Sequence, residues 1–356
     1  MSSAFDPLVI VHVVFSSRIA GGEQHCVDLA NAQAALGHQV HVVGPARSAV
    51  SGALTPAVRY HGLALPLLRG TRLRWLTARL NADICHAHLG PACKAAAVTR
   101  GAVRLGTLHV GYKTHHHQAL DGLICVNRVQ NEALPGFRGL SRVIHNWAPL
   151  RAQSQQGGEL RRELGLRADQ MLVGSVGRLH PSKGMDLLIR AFRKSAPADA
   201  ALAILGEGKD LRELTQLADG DPRIRLLGFR PQVEAALSSM DLFVSPSRED
   251  AFPLAVLEAM RAGLPIVATA TQGPTEMLSG QPATLVPVGD VDALGQALGE
   301  QLAQLRPLPS GHPLRRVRYD LSAYDRDRAV DKVLGFYREL MAARVPVRAW
   351  AGALGA

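Results

Sequence analysis

The residues best suited to chemistry lie between positions 245 and 269, in the segment SPSREDAFPLAVLEAMRAGLPIVAT. An apolar strand leads into a polar loop, and the pattern predicts a helix that starts near Leu254. The free backbone N–H groups and the dipole of a first helical turn attract phosphate. Asp250 in the loop and Glu258 about one turn into the helix add two carboxylates, which accept hydrogen bonds from sugar or ribose hydroxyls. Taken singly, Asp250 is better explained as a helix cap and Glu258 as a surface carboxylate than as functional residues.

A second segment, VGRLHPSKGMDLLIRAF at residues 176 to 192, carries two cations five residues apart. A predicted strand runs into Arg178, and Lys183 with Gly184 leads into a helix. Two fixed positive charges at the end of a strand suit a diphosphate, whose charge must be neutralised when it leaves. The alternative is that both side chains are ordinary solvated surface residues.

The first segment resembles the signature of the retaining glycosyltransferases of family 4, which have the two-domain GT-B fold. In that family two glutamates eight positions apart bracket a Gly-Phe-Pro or Gly-Phe-Gly turn. The resemblance implies that Glu258 holds the ribose hydroxyls of a nucleotide-sugar donor. It also implies that Phe252, Pro253 and Leu254 form the turn beside the donor.

Asp250 stands where the family has its first glutamate, which contacts the hydroxyls of the donor sugar. Aspartate is one methylene shorter, and Ala251 replaces the usual glycine. Either Asp250 or the neighbouring Glu249 therefore fills this role. The segment around Arg178 and Lys183 resembles the phosphate-binding motif of the same family.

Three weaker matches lie in the first half of the chain. Gly22, within Gly21-Gly22-Glu23, resembles the family's glycine loop over the donor phosphate and acceptor, although a tight turn would need glycine anyway. His109 resembles the histidine that the family places against the donor sugar, and an ordinary loop histidine is the alternative. Asn146 occupies an interdomain position of the family and is interpreted as structural. The resemblance covers roughly residues 8 to 340.

The resemblance implies transfer of a sugar with retention of configuration, without a metal or other cofactor, the nucleotide sugar being a substrate. Asp-x-Asp, a common metal motif, occurs at Asp290–Asp292, Asp219–Asp221 and Asp325–Asp327, and we interpret all three as helix caps or solvent-facing charges. We expect residues 115 to 117, three histidines in a row, to form a mobile loop, because adjacent residues rarely converge on one ion.

Other activities stay open at this point. A sugar-nucleotide epimerase or a phosphorylase on the same fold could use a similar phosphate site, and a non-catalytic sugar-binding protein could share the architecture. A nicotinamide oxidoreductase is disfavoured because Gly-x-Gly-x-x-Gly does not follow the first predicted strand.

The elements that must position these residues alternate between short apolar strands and amphipathic helices, which predicts parallel sheets covered on both faces. The fold class is therefore α/β, with two Rossmann-like doubly wound domains facing a cleft. We predict an N-terminal acceptor domain over residues 1–150 and a C-terminal nucleotide-sugar donor domain over 151–320. A last helix over 321–345 is predicted to pack back toward the N-terminal domain.

Composition indicates the cellular compartment in which the protein is expected. Hydrophobic residues make up 47% of the 356 residues, without an apolar run of the roughly 18 residues that a membrane span needs. The opening segment reads as a buried strand rather than a signal peptide, and four cysteines without a Cys-x-x-Cys pair suit a reducing compartment. We expect a cytoplasmic protein.

The net charge of +10 is concentrated in residues 1–150, which hold 14 Lys or Arg against 6 Asp or Glu. This asymmetry predicts an anionic or lipid-linked acceptor, with arginine-rich coding bias as the alternative. Residues 65–80 read as a basic helix that would suit the inner face of a membrane; the alternative is an ordinary helix packed on the sheet with its arginines outward. The arginines are Arg69, Arg72, Arg74 and Arg79. Aromatic residues are only 4%, which argues against nucleic acid. We expect an acceptor in bacterial envelope polysaccharide or lipopolysaccharide synthesis.

Overall fold

The structure is a computed structural model that describes residues 6–64, 67–148, 158–308 and 312–344. The chain forms two compact units. The first comprises Met1–Asn146 together with Arg326–Ala356, and the second comprises Trp147–Asp325. The predicted boundary at residues 150 and 151 lies outside the described residues, as do residues 65 and 66 of the predicted basic helix and residue 345 of the predicted last helix.

The first unit contains a parallel sheet of seven strands in the order β3-β2-β1-β4-β5-β6-β7. Its strands are β1 (Val9–Val13), β2 (Gln39–Pro45), β3 (Arg59–Leu63), β4 (Ile84–His88), β5 (Val103–Leu108), β6 (Gly122–Cys125) and β7 (Leu140–Val143). Its helices are α1 (Gly21–Ala35), α2 (Ala49–Ala53), α3 (Arg69–Arg79), α4 (Gly90–Ala96), α5 (Thr114–His117), α6 (Arg128–Glu132) and, after the second unit, α14 (Arg326–Arg344).

The second unit contains a parallel sheet of six strands in the order β10-β9-β8-β11-β12-β13. Its strands are β8 (Met171–Val176), β9 (Ala200–Leu205), β10 (Ile224–Leu226), β11 (Leu242–Ser245), β12 (Ile266–Thr269) and β13 (Thr284–Val286). Its helices are α7 (Glu159–Glu163), α8 (Met185–Ser195), α9 (Leu211–Ala218), α10 (Val233–Ser238), α11 (Leu254–Arg261), α12 (Gln272–Leu278) and α13 (Val291–Leu305), with short 3-10 turns at Pro181–Lys183, Pro313–Arg315 and Ser322–Tyr324.

The prediction of two doubly wound parallel-sheet domains is confirmed. The central strands are buried because helices cover both faces of each sheet, and most of their side chains are apolar. In the second unit, Leu202 and Val244 of the sheet are fully buried together with Ile189 of helix α8. In the first unit, Val11 and Cys85 occupy the equivalent interior.

Each sheet has one place where the strand order reverses, between β1 and β4 in the first unit and between β8 and β11 in the second. The loops that leave neighbouring strands at such a point diverge to opposite faces of the sheet. Ligands of doubly wound proteins bind in the crevice that this divergence opens at the carboxyl ends of the strands. These two edges are therefore the places to look for function.

Helix α14 belongs to the first unit although it follows the second in sequence. Its Leu340 side chain lies over Gly122 of β6, where an added Cβ would come within 2.6 Å of Leu340 Cδ1. At the end of the helix Arg344 pairs with Asp121, with 2.7 Å between Nη2 and Oδ2. The absence of a side chain at Gly122 lets the helix approach the sheet closely.

The prediction of a mobile loop over residues 115–117 is wrong. These residues belong to the short helix α5. The Nδ1 atom of His117 accepts a hydrogen bond from the backbone N–H of Lys113 at 2.9 Å, and His117 is buried. The histidine side chain thus reaches back to the backbone N–H of the N-cap residue, as the glutamate of a capping box does.

Candidate functional site

Two loops of the second unit meet at the carboxyl edge of its sheet: the loop between β8 and α8, and the loop between β11 and α11. The backbone N–H groups of Arg248 and Glu249 donate to the carbonyl oxygen of Ser182, at 2.8 and 3.1 Å. The guanidinium of Arg248 also donates a hydrogen bond to each carboxylate oxygen of Asp186, with 2.7 Å between nitrogen and oxygen in both. This pairing holds the pKa of Asp186 below its usual value. The two loops are therefore joined into one rigid edge.

Lys183 and Asp250 are brought together at this edge. The Lys183 ammonium lies 2.5 Å from Asp250 Oδ2, and the Ser247 hydroxyl donates to the same oxygen at 3.3 Å. The two charged side chains are only 20% and 9% exposed, respectively. The backbone carbonyl of Asp250 accepts from the N–H of Gly273 at 3.0 Å. Asp250 therefore pairs with a cation and does not cap helix α11, whose N-cap is Pro253.

Gly184 permits this approach. It has a φ of 61°, in the left-handed region, and an added Cβ would collide with the carbonyl oxygen of Pro246. The turn before it begins at His180, whose Nδ1 accepts from the backbone N–H of Ser182 at 3.2 Å. Only glycine at position 184 places Lys183 against the loop after β11.

Helix α11 starts at Leu254, as predicted. Phe252 is buried, and its ring meets that of Tyr324 edge to face at 5.6 Å between centroids, which fixes the entry of the chain into the helix. Glu258 is half-buried, one turn into the helix. Glu249 and Arg178 are exposed, with Arg178 two residues beyond strand β8. Asp250, not Glu249, is thus the carboxylate held inside the edge of the sheet.

The two predicted site residues of the first unit lie side by side. Helix α1 begins at Gly21, and the Glu23 carboxylate accepts from the backbone N–H of Ala20 at 3.0 Å, which closes its first turn. An added Cβ on Gly22 would lie 3.2 Å from His109 Cγ. Burial lowers the pKa of His109 to about 4, so its imidazole is neutral at pH 7.

The sequence analysis missed four buried histidines near His109. His12 lies on β1, His86 and His88 on β4, and His25 on α1. Residues two apart on a strand share a face, and His12 is the register partner of His86. The spacing of His86 and His88 in the strand ICHAH was therefore a signal for a polar cluster inside the sheet.

The Asp-x-Asp motifs take structural positions. Asp290 caps helix α13 by accepting from the backbone N–H groups of Asp292 and Ala293. Asp221 pairs with Arg223 at 2.8 Å. Within the described residues, the groups of side chains spaced to hold a metal are histidines of the first unit: His12, His86 and His88, and His25, His88 and His109.

Several solved structures have a similar fold. The structure of Anabaena Alr3699/HepE in complex with UDP and glucose superimposes with a TM-score of 0.75, at 20% identity over 93% of this chain and 100% of that chain. The structure of WaaG, a glycosyltransferase involved in lipopolysaccharide biosynthesis, gives a TM-score of 0.69 at 17% identity over 92% of this chain. The fold of this chain is therefore the GT-B fold.

Two family descriptions match the chain in tandem. Residues 19–151 match Glycosyltransferase Family 4, and residues 170–304 match Glycosyl transferases group 1. Together the two ranges span most of the chain. This protein therefore belongs to the GT-B glycosyltransferases of family 4.

Curated relatives agree with that assignment. The lipopolysaccharide core biosynthesis glycosyltransferase LpsE of Rhizobium meliloti is 26% identical over 297 residues, 80% of this chain and 86% of the relative. A D-inositol 3-phosphate glycosyltransferase of Geodermatophilus obscurus is 32% identical over 194 residues, 50% of this chain and 42% of the relative. A second one, from Mycobacteroides abscessus, is 34% identical over 154 residues, 40% of this chain. This alignment covers 34% of the relative's own length.

Proposed function

We propose that this protein transfers a sugar from a nucleotide-diphosphate donor to a hydroxyl group of an envelope glycan or glycolipid, with retention of anomeric configuration. The observation that carries the proposal is the pairing of Lys183 with Asp250 at the point where the second sheet reverses its strand order. A cation, a carboxylate and the start of helix α11 converge there. Such a set matches a ligand that has both a phosphate and hydroxyl groups.

Each residue of this edge has a distinct role in the proposal. Lys183 and the exposed Arg178 neutralise the diphosphate as it leaves with the bonding electron pair. Glu258 accepts hydrogen bonds from the two ribose hydroxyls, and Asp250 accepts from hydroxyls of the donor sugar. The turn of Phe252, Pro253 and Leu254 aims the N-terminus of helix α11 at the phosphates. In the first unit, Gly22 and His109 are assigned to the sugar on the resemblance to the family.

The proposal includes catalysis without a metal ion. Fixed cations supply the charge that Mg²⁺ supplies in enzymes that bind nucleotide sugars through Asp-x-Asp. The three Asp-x-Asp motifs of this chain are used as caps, turns or ion pairs, as Asp290 at helix α13 illustrates. Donor binding should therefore survive chelation of divalent ions.

An envelope acceptor is supported by the relatives. LpsE is named for lipopolysaccharide core biosynthesis, and a putative colanic acid biosynthesis glycosyltransferase, WcaL of Salmonella typhimurium, is 31% identical over 61% of its length. The surplus of basic residues in the first unit suits an acceptor that carries phosphate or another anionic group. We place this acceptor in the first unit.

Helix α3 supplies a surface for peripheral contact with the cytoplasmic face of a membrane. Trp75 is 60% exposed and Leu68 is 70% exposed, while Leu73 anchors the helix in the core. The Arg79 guanidinium lies 5.2 Å from the centroid of the Trp75 ring. Exposed aromatic and aliphatic side chains beside arginines are typical of helices that rest on anionic lipid. Within the described residues, a helix with the length and apolar character to cross a bilayer is absent.

The proposal is tested by calorimetric binding of UDP, GDP, ADP and dTDP, each with EDTA and with Mg²⁺. We expect one of them to bind equally well in both conditions, and Lys183→Met to weaken that binding at least tenfold. The control is Lys194→Met, which breaks a surface ion pair with Asp292 in the same unit. Binding that requires Mg²⁺ would contradict the metal-free proposal, and binding that ignores Lys183→Met would contradict the assigned site.

Product analysis then tests the reaction. With the donor identified by its base, a retained anomeric centre in the NMR spectrum of the product supports the proposal. Conversion of the sugar nucleotide without an acceptor would identify an epimerase instead, and a requirement for inorganic phosphate would identify a phosphorylase. An inverted anomeric centre would contradict the proposed retention.

A further inference from the structure

The buried histidines of the first unit form a continuous hydrogen-bonded chain that ends at His109. His109 Nε2 lies 3.1 Å from His88 Nδ1, and His88 Nε2 lies 3.0 Å from His12 Nδ1. His12 Nε2 in turn lies 2.8 Å from the amide oxygen of Gln33 on helix α1. In both His12 and His88, one ring nitrogen therefore bonds to the neighbour on the His109 side, and the other bonds to the neighbour on the Gln33 side.

The amide oxygen of Gln33 gives this chain a direction. A carbonyl oxygen only accepts, so His12 must carry its proton on Nε2, which leaves a lone pair on Nδ1. His88 must then donate from Nε2, and His109 must also donate from Nε2. One amide thus sets the tautomer of three imidazoles.

The other end of the Gln33 amide is held as well. Gln33 Nε2 donates to the hydroxyl of Tyr337 on helix α14 at 3.3 Å. That hydroxyl lies 2.6 Å from His86 Nδ1, and His86 Nε2 lies 2.7 Å from the hydroxyl of Thr107. Tyr337 therefore accepts from Gln33 and donates to His86. Rotating the Gln33 amide by 180° would exchange donor and acceptor in every hydrogen bond along the chain. The positions of the protons are therefore set by all of these hydrogen bonds together.

The surroundings keep these rings neutral. Burial is the largest cause of the lowered pKa of His12, which falls to about 4, and of the lowered pKa values of His86 and His88. Neighbouring imidazoles add to the effect on His86 and His88, and the ring of His25 lies 4.9 Å from that of His109. An imidazolium would donate from both nitrogens and break the chain at one side.

We infer that Gln33, His12 and His88 are positioning residues that fix His109 as the Nε2-protonated tautomer, so that Nδ1 of His109 accepts a hydrogen bond from a ligand hydroxyl. The statement about the tautomer stands on the described hydrogen bonds alone. The statement about the ligand rests on the proposed function, in which His109 contacts a sugar. Helix α14, through Tyr337, holds the far end of the chain.

The same rings satisfy the spacing of a metal site, since the ligand atoms of His12, His86 and His88 lie within 4.8 Å of one another. Both nitrogens of each of these three rings already have hydrogen-bond partners, among them Gln33 and Tyr337. A metal ion held by these three rings would have to displace several of these bonds. A metal ion held by the second group, His25, His88 and His109, would have to displace His88 from His12 or from His109, so the geometry favours the hydrogen-bonded chain.

The tautomers can be read from two-bond ¹H–¹⁵N spectra of the full chain labelled with ¹⁵N-histidine at pH 7. Single substitutions assign the signals of His12, His88 and His109. We expect all three to be protonated on Nε2 and bare on Nδ1. Protonation of His88 or His109 on Nδ1, an imidazolium signal, or stoichiometric bound metal by elemental analysis would overturn the inference.

Substitution of the amide tests the direction of control. In Gln33→Leu we expect the His109 signal to change to a mixture of both tautomers, because the acceptor that sets the order is gone. Gln33→Glu retains an oxygen that only accepts, and should keep His109 protonated on Nε2. The control is Gln24→Leu, which removes the Gln24 contact with Asp28 on the same helix. A His109 spectrum that Gln33→Leu leaves unchanged would contradict the inference. If Gln33→Leu fails to fold, Tyr337→Phe removes the hydroxyl that orients the amide, and should likewise give His109 as a mixture of both tautomers; an unchanged His109 spectrum in that variant would contradict the inference.

Activity provides an independent arm. Loss of one net hydrogen bond predicts that Gln33→Leu lowers kcat/KM for the donor about fivefold, with recovery in Gln33→Glu. If the spectra are as expected but the wild type does not transfer a sugar, the proposed function is contradicted and the tautomer assignment stands. Transfer with the opposite tautomers would contradict this inference alone.

Discussion

The Lys183 ammonium and the Asp250 carboxylate form an ion pair with 2.5 Å between Nζ and Oδ2, although the residues come from two different loops of the second unit. Each partner is more than three-quarters withdrawn from solvent. In the free protein the pair holds both charges at the edge of the sheet. In the proposed function, the phosphate of a ligand contacts Lys183 and a hydroxyl of the same ligand contacts Asp250.

The energy of this pair should exceed that of a surface pair. Lys183→Met and Asp250→Asn should each lower the free energy of unfolding by about 1–3 kcal/mol, since each leaves a shielded charged or polar partner behind. A double-mutant cycle in urea should give a coupling energy of about 1–2 kcal/mol. The Lys194–Asp292 pair, whose side chains are 63% and 75% exposed, serves as the control and should give less than about 1 kcal/mol. Equal coupling in the two cycles would contradict the prediction.

Glu258 should discriminate nucleotide from phosphate. If it binds ribose hydroxyls, Glu258→Gln weakens binding of the nucleoside diphosphate about tenfold, because a charged acceptor is lost, and leaves inorganic pyrophosphate unchanged. Lys183→Met should weaken both ligands. Calorimetry with the two ligands measures the difference, and a parallel loss of pyrophosphate binding in Glu258→Gln would remove the ribose assignment.

Replacement by alanine should destabilise the protein much more at Gly184 than at Gly220, which also has a positive φ. Gly184→Ala adds a collision with the Pro246 carbonyl to the cost of a positive φ, and should lower the free energy of unfolding by about 3 kcal/mol or more. Gly220 has a φ of 76° with open space around its Cβ position, so Gly220→Ala should cost about 1–2 kcal/mol. Urea unfolding measures both. Equal losses would show that the close approach to Pro246 is not what requires glycine.

The stability of the first unit should fall in mild acid. His12, His25, His86, His88 and His109 all have pKa values below the ordinary value of 6.5, chiefly through burial. Below about pH 6.5 these histidines therefore bind protons in the unfolded chain but stay neutral in the folded chain. The free energy of unfolding consequently falls as the pH falls toward 4. Each histidine contributes about 1.4 kcal/mol per pH unit. Urea midpoints at pH 7, 6 and 5 measure the slope, His12→Asn should reduce it, and a flat profile would contradict the prediction.

Helix α3 should control binding to anionic vesicles. Arg72→Gln together with Arg74→Gln should weaken co-sedimentation with phosphatidylserine vesicles by about 1 kcal/mol per arginine. The control pair, Arg190→Gln with Arg212→Gln, removes the same charge from exposed positions of the second unit. Equal weakening by both pairs would indicate a general charge effect, and a wild-type chain that ignores the vesicles would remove the proposed membrane contact.

Several elements could be predicted because their determinants are local. Helix α11 starts at Leu254 because a polar loop and Pro253 precede an apolar helical pattern. Helix α1 ends before Gly37, whose φ of 91° suits the residue after a helix. By contrast, β3 escaped prediction because its residues, RYHGL, are exposed or half-buried at the edge of the sheet and lack the apolar run of a central strand.

The amino-acid sequence by itself determined the alternation of strands and helices, and with it the two doubly wound sheets. It also determined which segments carry Lys183, Asp250 and Glu258, since periodicity and turn residues act over a few positions. Only the tertiary structure decided that Lys183 pairs with Asp250 and that Gln33 orients His12. Those contacts depend on strand order and on the register of parallel strands, which bring together side chains far apart in the chain and which local pattern does not encode.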